Sequence, residues 1–163
     1  MGTIIDALRE IGPGDWTCKI AGQAMDDSIE RFIAQSEGLP IEFVGWVDPK
    51  TFFDEIDVLI VPSIWAEPSP RTIYEAYAVG VPCIGARTGG IPELIGEDNN
   101  DWLFAGGDHK ELATRIRNVM AKGRESFPPQ SEFQWVLDES TSRRVAEKFE
   151  ALYKEVLEAP RAG

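Results

Sequence analysis

Val58-Leu59-Ile60-Val61-Pro62-Ser63-Ile64-Trp65-Ala66-Glu67-Pro68-Ser69-Pro70-Arg71-Thr72-Ile73-Tyr74-Glu75-Ala76 decides how this chain is read. An apolar run ends at Pro62, a proline-bounded loop follows, and a helix begins at Pro70. Glu67 falls in the loop and Glu75 about one turn into the helix, with seven residues between them. Two hydrogen-bond acceptors and a helix N-terminus therefore gather at one end of a strand. Carboxylates accept from sugar hydroxyls, and a helix N-terminus suits phosphate. A nucleotide-sugar carries both.

On either side of this stretch, strand patterns alternate with helix patterns. Ile4, Ile5, Leu8 and Ile11 recur at helical spacing, and Gly12-Pro13-Gly14 stops that helix. Trp16 to Ala21 reads as a short buried strand ending at Gly22, and Ile41 to Val44 as a second strand ending at Gly45. Between them, a polar helix from about Asp26 to Gln35 turns Ile29, Phe32 and Ile33 inward. Asp48-Pro49 starts a short helix. Asp57 to Val61 is the third strand, Pro70 to Val79 a helix, Cys83 to Ala86 the fourth strand, Pro92 to Ile95 a helical stub and Trp102 to Phe104 a short strand. Asp108 caps a helix running to about Ala121. Phe127-Pro128-Pro129 is a linker. The last helix, from about Ser140 to Leu157, is expected to bury Val145, Phe149, Leu152 and Val156. Such alternation implies an α/β fold, a Rossmann-like parallel sheet with helices on both faces. Right-handed crossovers place the strand C-terminal ends on one edge, where ligands of such sheets bind. Gly22, Gly45, the Glu67 loop and Gly89-Gly90 all follow strands and are expected to line that crevice.

Composition narrows the classes. A chain of 163 residues is one domain's worth, read as a single domain over 1–163. Its net charge of −12 argues against a basic surface that grips nucleic acid or an anionic membrane. No apolar run approaches the roughly 20 residues of a membrane span. Met1-Gly2-Thr3-Ile4 lacks a signal-peptide pattern. The expected location is cytoplasmic, or peripheral to the cytoplasmic membrane in a full-length protein. Cys18 and Cys83 fall in apolar runs and read as core residues of a reducing compartment. His109, the single histidine, has no partners at ligand spacing, so no metal site is expected.

Each candidate residue carries two readings. Glu67 holds a donor sugar's hydroxyls or is a solvated acid. Glu75 accepts both hydroxyls of a ribose or is a helix-surface charge. Pro70 opens the helix, leaving the amides of Arg71 and Thr72 facing the crevice. Arg71 pairs with a phosphate or with Glu67, or forms a structural ion pair. Gly89 and Gly90 let backbone amides approach a sugar or diphosphate, or form a plain turn. Gly45-Trp46-Val47 is a rim for a nucleobase, or Trp46 is an exposed core-edge residue. There is no Ser/His/Asp set, P-loop or G-x-G-x-x-G after a strand.

With Glu67, Glu75, Ala76, Gly80, Pro82 and Gly89-Gly90-Ile91-Pro92-Glu93 in place, the chain resembles the C-terminal, donor-binding half of a family-four retaining glycosyltransferase. That family has the GT-B fold, and the resemblance runs from about Gly2 to Leu157. Ile20-Ala21-Gly22 and Phe43-Val44-Gly45 match its glycine-ended strands more loosely. The resemblance implies transfer of a sugar from a nucleotide-sugar donor with retention at the anomeric carbon. It assigns Glu67, as the catalytic residue, to the donor sugar and Glu75 to the ribose. It implies no metal or other cofactor, since cations and helix dipoles serve the diphosphate. A sugar or lipid-linked acceptor would be held by an N-terminal domain.

The chain also departs from that pattern. Ser69-Pro70 stands where the family often has Phe-Gly, and Pro70 has no N–H to offer. Met1-Gly2 falls about where the family has Lys-Gly, so the first central strand, a Gly-Arg, that Lys and the acceptor domain are missing from this sequence. Weak donor affinity and no transfer by this piece alone are the expectations. The strands at Trp16–Ala21 and Asp57–Val61 then lack their shared neighbour. They are expected to close up, or another segment or chain to fill the gap, with self-association through the exposed edge as one outcome. The alternative function is a non-catalytic nucleotide-binding or interaction module on the same fold. A GT-B sugar epimerase is the third reading.

Overall fold

Strands and helices alternate from Cys18 to Lys122, as the periodicity predicts. The computed structural model describes residues 1–23 and 28–159. The order is α1 (Gly2–Ile11), β1 (Cys18–Ala21), α2 (Ser28–Gln35), β2 (Ile41–Gly45), α3 (Pro49–Phe53), β3 (Leu59–Val61) and α4 (Arg71–Ala78). Then come β4 (Cys83–Ala86), α5 (Ile91–Ile95), β5 (Leu103–Phe104), α6 (His109–Lys122), a 3-10 turn (Gly123–Ser126), α7 (Gln130–Glu139) and α8 (Ser142–Glu158). The expected start of α2, at Asp26, lies outside the described residues.

Three helices, α3, α6 and α8, start at a capping side chain. Asp48 accepts from the amide of Thr51 at 3.1 Å, with Pro49 opening α3. Asp108 accepts from the amides of Lys110 and Glu111, both at 3.0 Å. Those bonds, that from Glu111 first, hold the Asp108 carboxyl below its ordinary value.

Every strand pair is parallel: β1 with β2, and β3 with β4 with β5. Alternation along the strands splits the core into two clusters. Val61, Ile73, Tyr77, Cys83, Ile91 and Phe133 pack in one, with α4, α5 and α7. Ala7, Ile84, Ala86, Phe104 and Leu112 pack in the other, with α1 and α6. The result is a Rossmann-like α/β arrangement with helices on both faces of the β3–β4–β5 sheet. Among the described residues, no helix is long and apolar enough to cross a membrane.

Four expectations need correction. First, β1 and β3 do not close up; they belong to two separate sheets, β1–β2 and β3–β4–β5. Helix α1 packs against α6 and also meets α2, where Arg9 donates to the Gln35 carbonyl. An ion pair of 2.5 Å between Lys19 on β1 and Glu55 ahead of β3 bridges the halves without backbone pairing. Second, Ile33 is exposed, while Ile29 and Phe32 on the same helix are half-buried. Third, β1 is not a buried strand: Cys18, Lys19 and Ile20 are half-buried and Ala21 is exposed. Beyond the Phe127–Pro129 linker, a helix the sequence did not announce, α7, inserts Phe133 and Val136 into the first cluster. Fourth, α8 buries none of its residues, and Val145, Phe149, Leu152 and Val156 all face out. Helix α8 touches the rest of the chain through α7, so its apolar stripe has no sheet to lie on.

Candidate functional site

The loop from Pro62 to Pro70 leaves the C-terminal end of β3 and is fastened to the turn that leaves β4. Both strands run the same way, so their ends lie side by side. The hydroxyl of Thr88 donates to the carbonyl of Ser63 at 2.7 Å. The amide of Gly90 donates to the carbonyl of Glu67 at 2.9 Å. The loop backbone lies so close to this turn that a Cβ on Gly89 would overlap the Glu67 carbonyl oxygen. One on Gly90 would overlap that of Pro68. Gly89 also has φ +54°, which a side chain rarely adopts. The two glycines thus serve the chain's own loop, and the Gly90 amide is already engaged.

Within this clamp, the Glu67 carboxylate is half-buried and accepts from the Ser63 hydroxyl at 2.6 Å. Pro70 is buried and stands at the N-cap of α4 without a capping side chain, so the amides of Arg71 and Thr72 begin the helix uncapped. Arg71, 89% exposed, donates to Glu75 at 2.9 Å. Of the pairings open to Arg71 in sequence, the structure shows an ion pair one turn along its own helix, and not one with Glu67. Ser69 and Tyr74 share a hydroxyl hydrogen bond of 2.8 Å across the helix start.

The remaining predicted residues follow the other sheet. Gly22, after β1, donates its amide to the carbonyl of Gly45, after β2, at 2.7 Å. Trp46 stands 74% exposed just beyond, and Val47 is half-buried. Glu67, Pro70, Arg71, Thr72, Glu75, Gly89 and Gly90 are thus brought together, while Gly22, Trp46 and Val47 stand at the strand ends of the neighbouring sheet. A recess of about 420 Å3 lies elsewhere, lined by Tyr77, Cys83, Gly96, Trp102 and Phe133 among others, and none of the predicted residues lines it. Sequence reasoning missed the side chains of Ser63 and Thr88. A hydroxyl next to a strand-ending proline was the available signal, and nothing in one sequence says where it points.

The chain is similar to known proteins over this region. The family described as Glycosyl transferases group 1 matches residues 1–122. The putative colanic acid biosynthesis glycosyltransferase WcaL of Escherichia coli (strain K12) is 36% identical over 113 residues, 66% of this chain and 27% of that protein. Spore coat protein SA of Bacillus subtilis (strain 168) is 31% identical over 126 residues, 70% of this chain and 32% of that protein. The chain therefore spans about a third or less of these relatives' length. Among solved structures, Anabaena HepE in complex with UDP-glucose superposes with a TM-score of 0.78 at 23% identity, covering 93% of this chain and 45% of that one. A glycosyltransferase from Rickettsia africae superposes with a TM-score of 0.78 at 21% identity, over 97% of this chain and 44% of that one.

Proposed function

Because this chain belongs to the Glycosyl transferases group 1 family, we propose that the clamped loop after β3 and the start of α4 form the nucleotide-sugar site of a glycosyltransferase. The observation that carries the reading is the clamp itself. It holds a half-buried carboxylate, Glu67, next to an uncapped helix N-terminus at the C-terminal edge of a parallel sheet.

In this reading Glu67 accepts from hydroxyls of the donor sugar and Glu75 from the ribose. The amides of Arg71 and Thr72, the Arg71 guanidinium and the Gly89 backbone meet the diphosphate. Gly22, Trp46 and Val47 form the rim for the base. Transfer proceeds with retention, without a metal, to a sugar or lipid-linked acceptor held by another domain of a full-length protein. This chain is the donor-binding, C-terminal part and does not transfer alone. The likeness to a relative named for colanic acid biosynthesis and to a structure bound to UDP-glucose supports a hexosyl donor.

The test is calorimetric titration of the chain with UDP-glucose, UDP-GlcNAc, GDP-mannose and ADP-glucose. One of them is expected to bind with a Kd on the order of 0.1–1 mM, and Glu67→Ala to weaken it about tenfold. Binding by none, or binding indifferent to Glu67, rejects the reading. A second reading, a non-catalytic nucleotide-binding module, is favoured by the Arg71–Glu75 pair, which partly neutralises a cation at the helix start. It predicts donor binding by the full-length protein with no transfer product.

A further inference from the structure

Ser63 is a polar residue only 8% exposed, and both of its hydrogen-bonding ends are engaged. Its hydroxyl donates to Glu67 Oε1 at 2.6 Å, a short hydrogen bond. Its carbonyl accepts from Thr88 at 2.7 Å. Thr88 in turn belongs to the turn whose Gly90 amide holds the Glu67 carbonyl. Glu67 is therefore held twice: its backbone by Gly90, and its side chain by Ser63, itself tethered to the same turn. A glutamate side chain has three torsions, and fixing it costs rotamer entropy. A hydroxyl already in place covers that cost before any ligand arrives.

We propose that Ser63 is a positioning residue for Glu67, occupying one carboxylate oxygen so that the other is presented to a hydroxyl of the donor sugar. This rests on the donor-site reading above. A serine hydroxyl has one proton to donate, and here it points at Oε1. Oε2 is then the acceptor left for a ligand. Ser63 does not touch the ligand in this arrangement and acts through Glu67. Its effect belongs to the sugar, which Glu67 meets, and not to the nucleoside diphosphate, which the α4 N-terminus and Arg71 meet. A merely structural serine would weaken both alike.

The experiment compares two affinities in the 163-residue chain. One is for the best-binding of the four nucleotide-sugars, the other for its parent nucleoside diphosphate. Ser63→Ala is expected to reduce the ratio of the two about tenfold, close to the ratio in Glu67→Ala, with diphosphate affinity within about twofold of wild type. Ser63→Thr, which keeps a hydroxyl, is expected to restore the ratio. If Ser63→Ala does not fold, as judged by circular dichroism, Ser63→Cys keeps the volume with a poor donor and is expected to give the same fall. An unchanged ratio in the folded serine variant, beside a fallen ratio in Glu67→Ala, overturns the positioning role and leaves the donor site standing. Equal loss of both affinities overturns it too. No binding by wild type rejects the donor-site reading, and the positioning role with it.

Discussion

The amide of Gly90 donates to the carbonyl of Glu67 at 2.9 Å, tying the turn after β4 to the loop after β3. A Cβ at Gly90 would meet backbone, the Pro68 carbonyl, which cannot swing aside as a side-chain tip could. Gly90→Ala should therefore cost about 1–3 kcal/mol. Gly89→Ala should cost more, because its φ of +54° adds backbone strain to the overlap. Urea unfolding of the two variants checks this. A change under about 0.5 kcal/mol in either would mean that the loop is not clamped as described.

Arg71 and Glu75 give the opposite expectation. Their ion pair is on the surface, with the guanidinium 89% exposed, so its contribution to stability is small. Arg71→Gln should leave the unfolding midpoint nearly unchanged. Its effect should appear on nucleoside diphosphate affinity, weakened several-fold at low salt and less so at high salt, where the charge is screened. An affinity that ignores both the substitution and the salt would remove Arg71 from the site.

How far the sequence carried can be argued from particular residues. Strands and caps were legible because their signals are local: an apolar run ending at Pro62, or an aspartate before a helical pattern at Asp108. The Glu67–Glu75 spacing was legible for the same reason. The Ser63–Glu67 bond was not, since it depends on loop path. The role of Gly89 and Gly90 was half legible. The glycines announced a close approach of something, and the structure shows that it is the chain's own backbone. Separation of the β1–β2 sheet from β3 was not legible, because which strands pair is a tertiary relation that no local pattern carries. Helix α8 shows the limit of periodicity: an apolar stripe says that a face could be covered, not that this chain covers it.

Tyr77 and Phe133 stack with centroids 4.2 Å apart, joining α7 to the helix that carries Glu75. Phe133 is 5% exposed, so Phe133→Ala removes a buried ring and leaves a cavity. The expected cost is about 3 kcal/mol, part of it from the ring pair itself. Thermal unfolding should show a fall of many degrees. A loss under about 1 kcal/mol would place α7 outside the core.

The stripe on α8 should behave as surface. Phe149 and Leu152 are each about half exposed, so Phe149→Ser with Leu152→Ser removes little buried contact. Stability should change by less than about 1 kcal/mol, while binding of an apolar fluorescent dye should fall. A large destabilisation would mean that the stripe is covered in solution.

Cys18 and Cys83 should be slow thiols, for one cause at two depths. Burial disfavours the thiolate, pushing Cys18 up to about 11 and Cys83 higher still. At pH 8 the Cys18 thiolate fraction is on the order of a thousandth, so a thiol reagent should label it slowly, about tenfold faster per pH unit. Cys83 is 2% exposed and should react only as the chain opens, at a rate that follows stability. Unfolded in denaturant, both should label promptly. The linkage has a definite sign. The folded state holds these protons after the unfolded chain has released them near 9, so it binds more protons in that range. Stability should thus decline as pH rises from about 9 toward 11, a trend that urea midpoints across that window would show. A flat profile, or prompt labelling of native Cys83 at pH 8, would contradict its burial against Tyr77 and Ile91 in the cluster beneath α4 and α5.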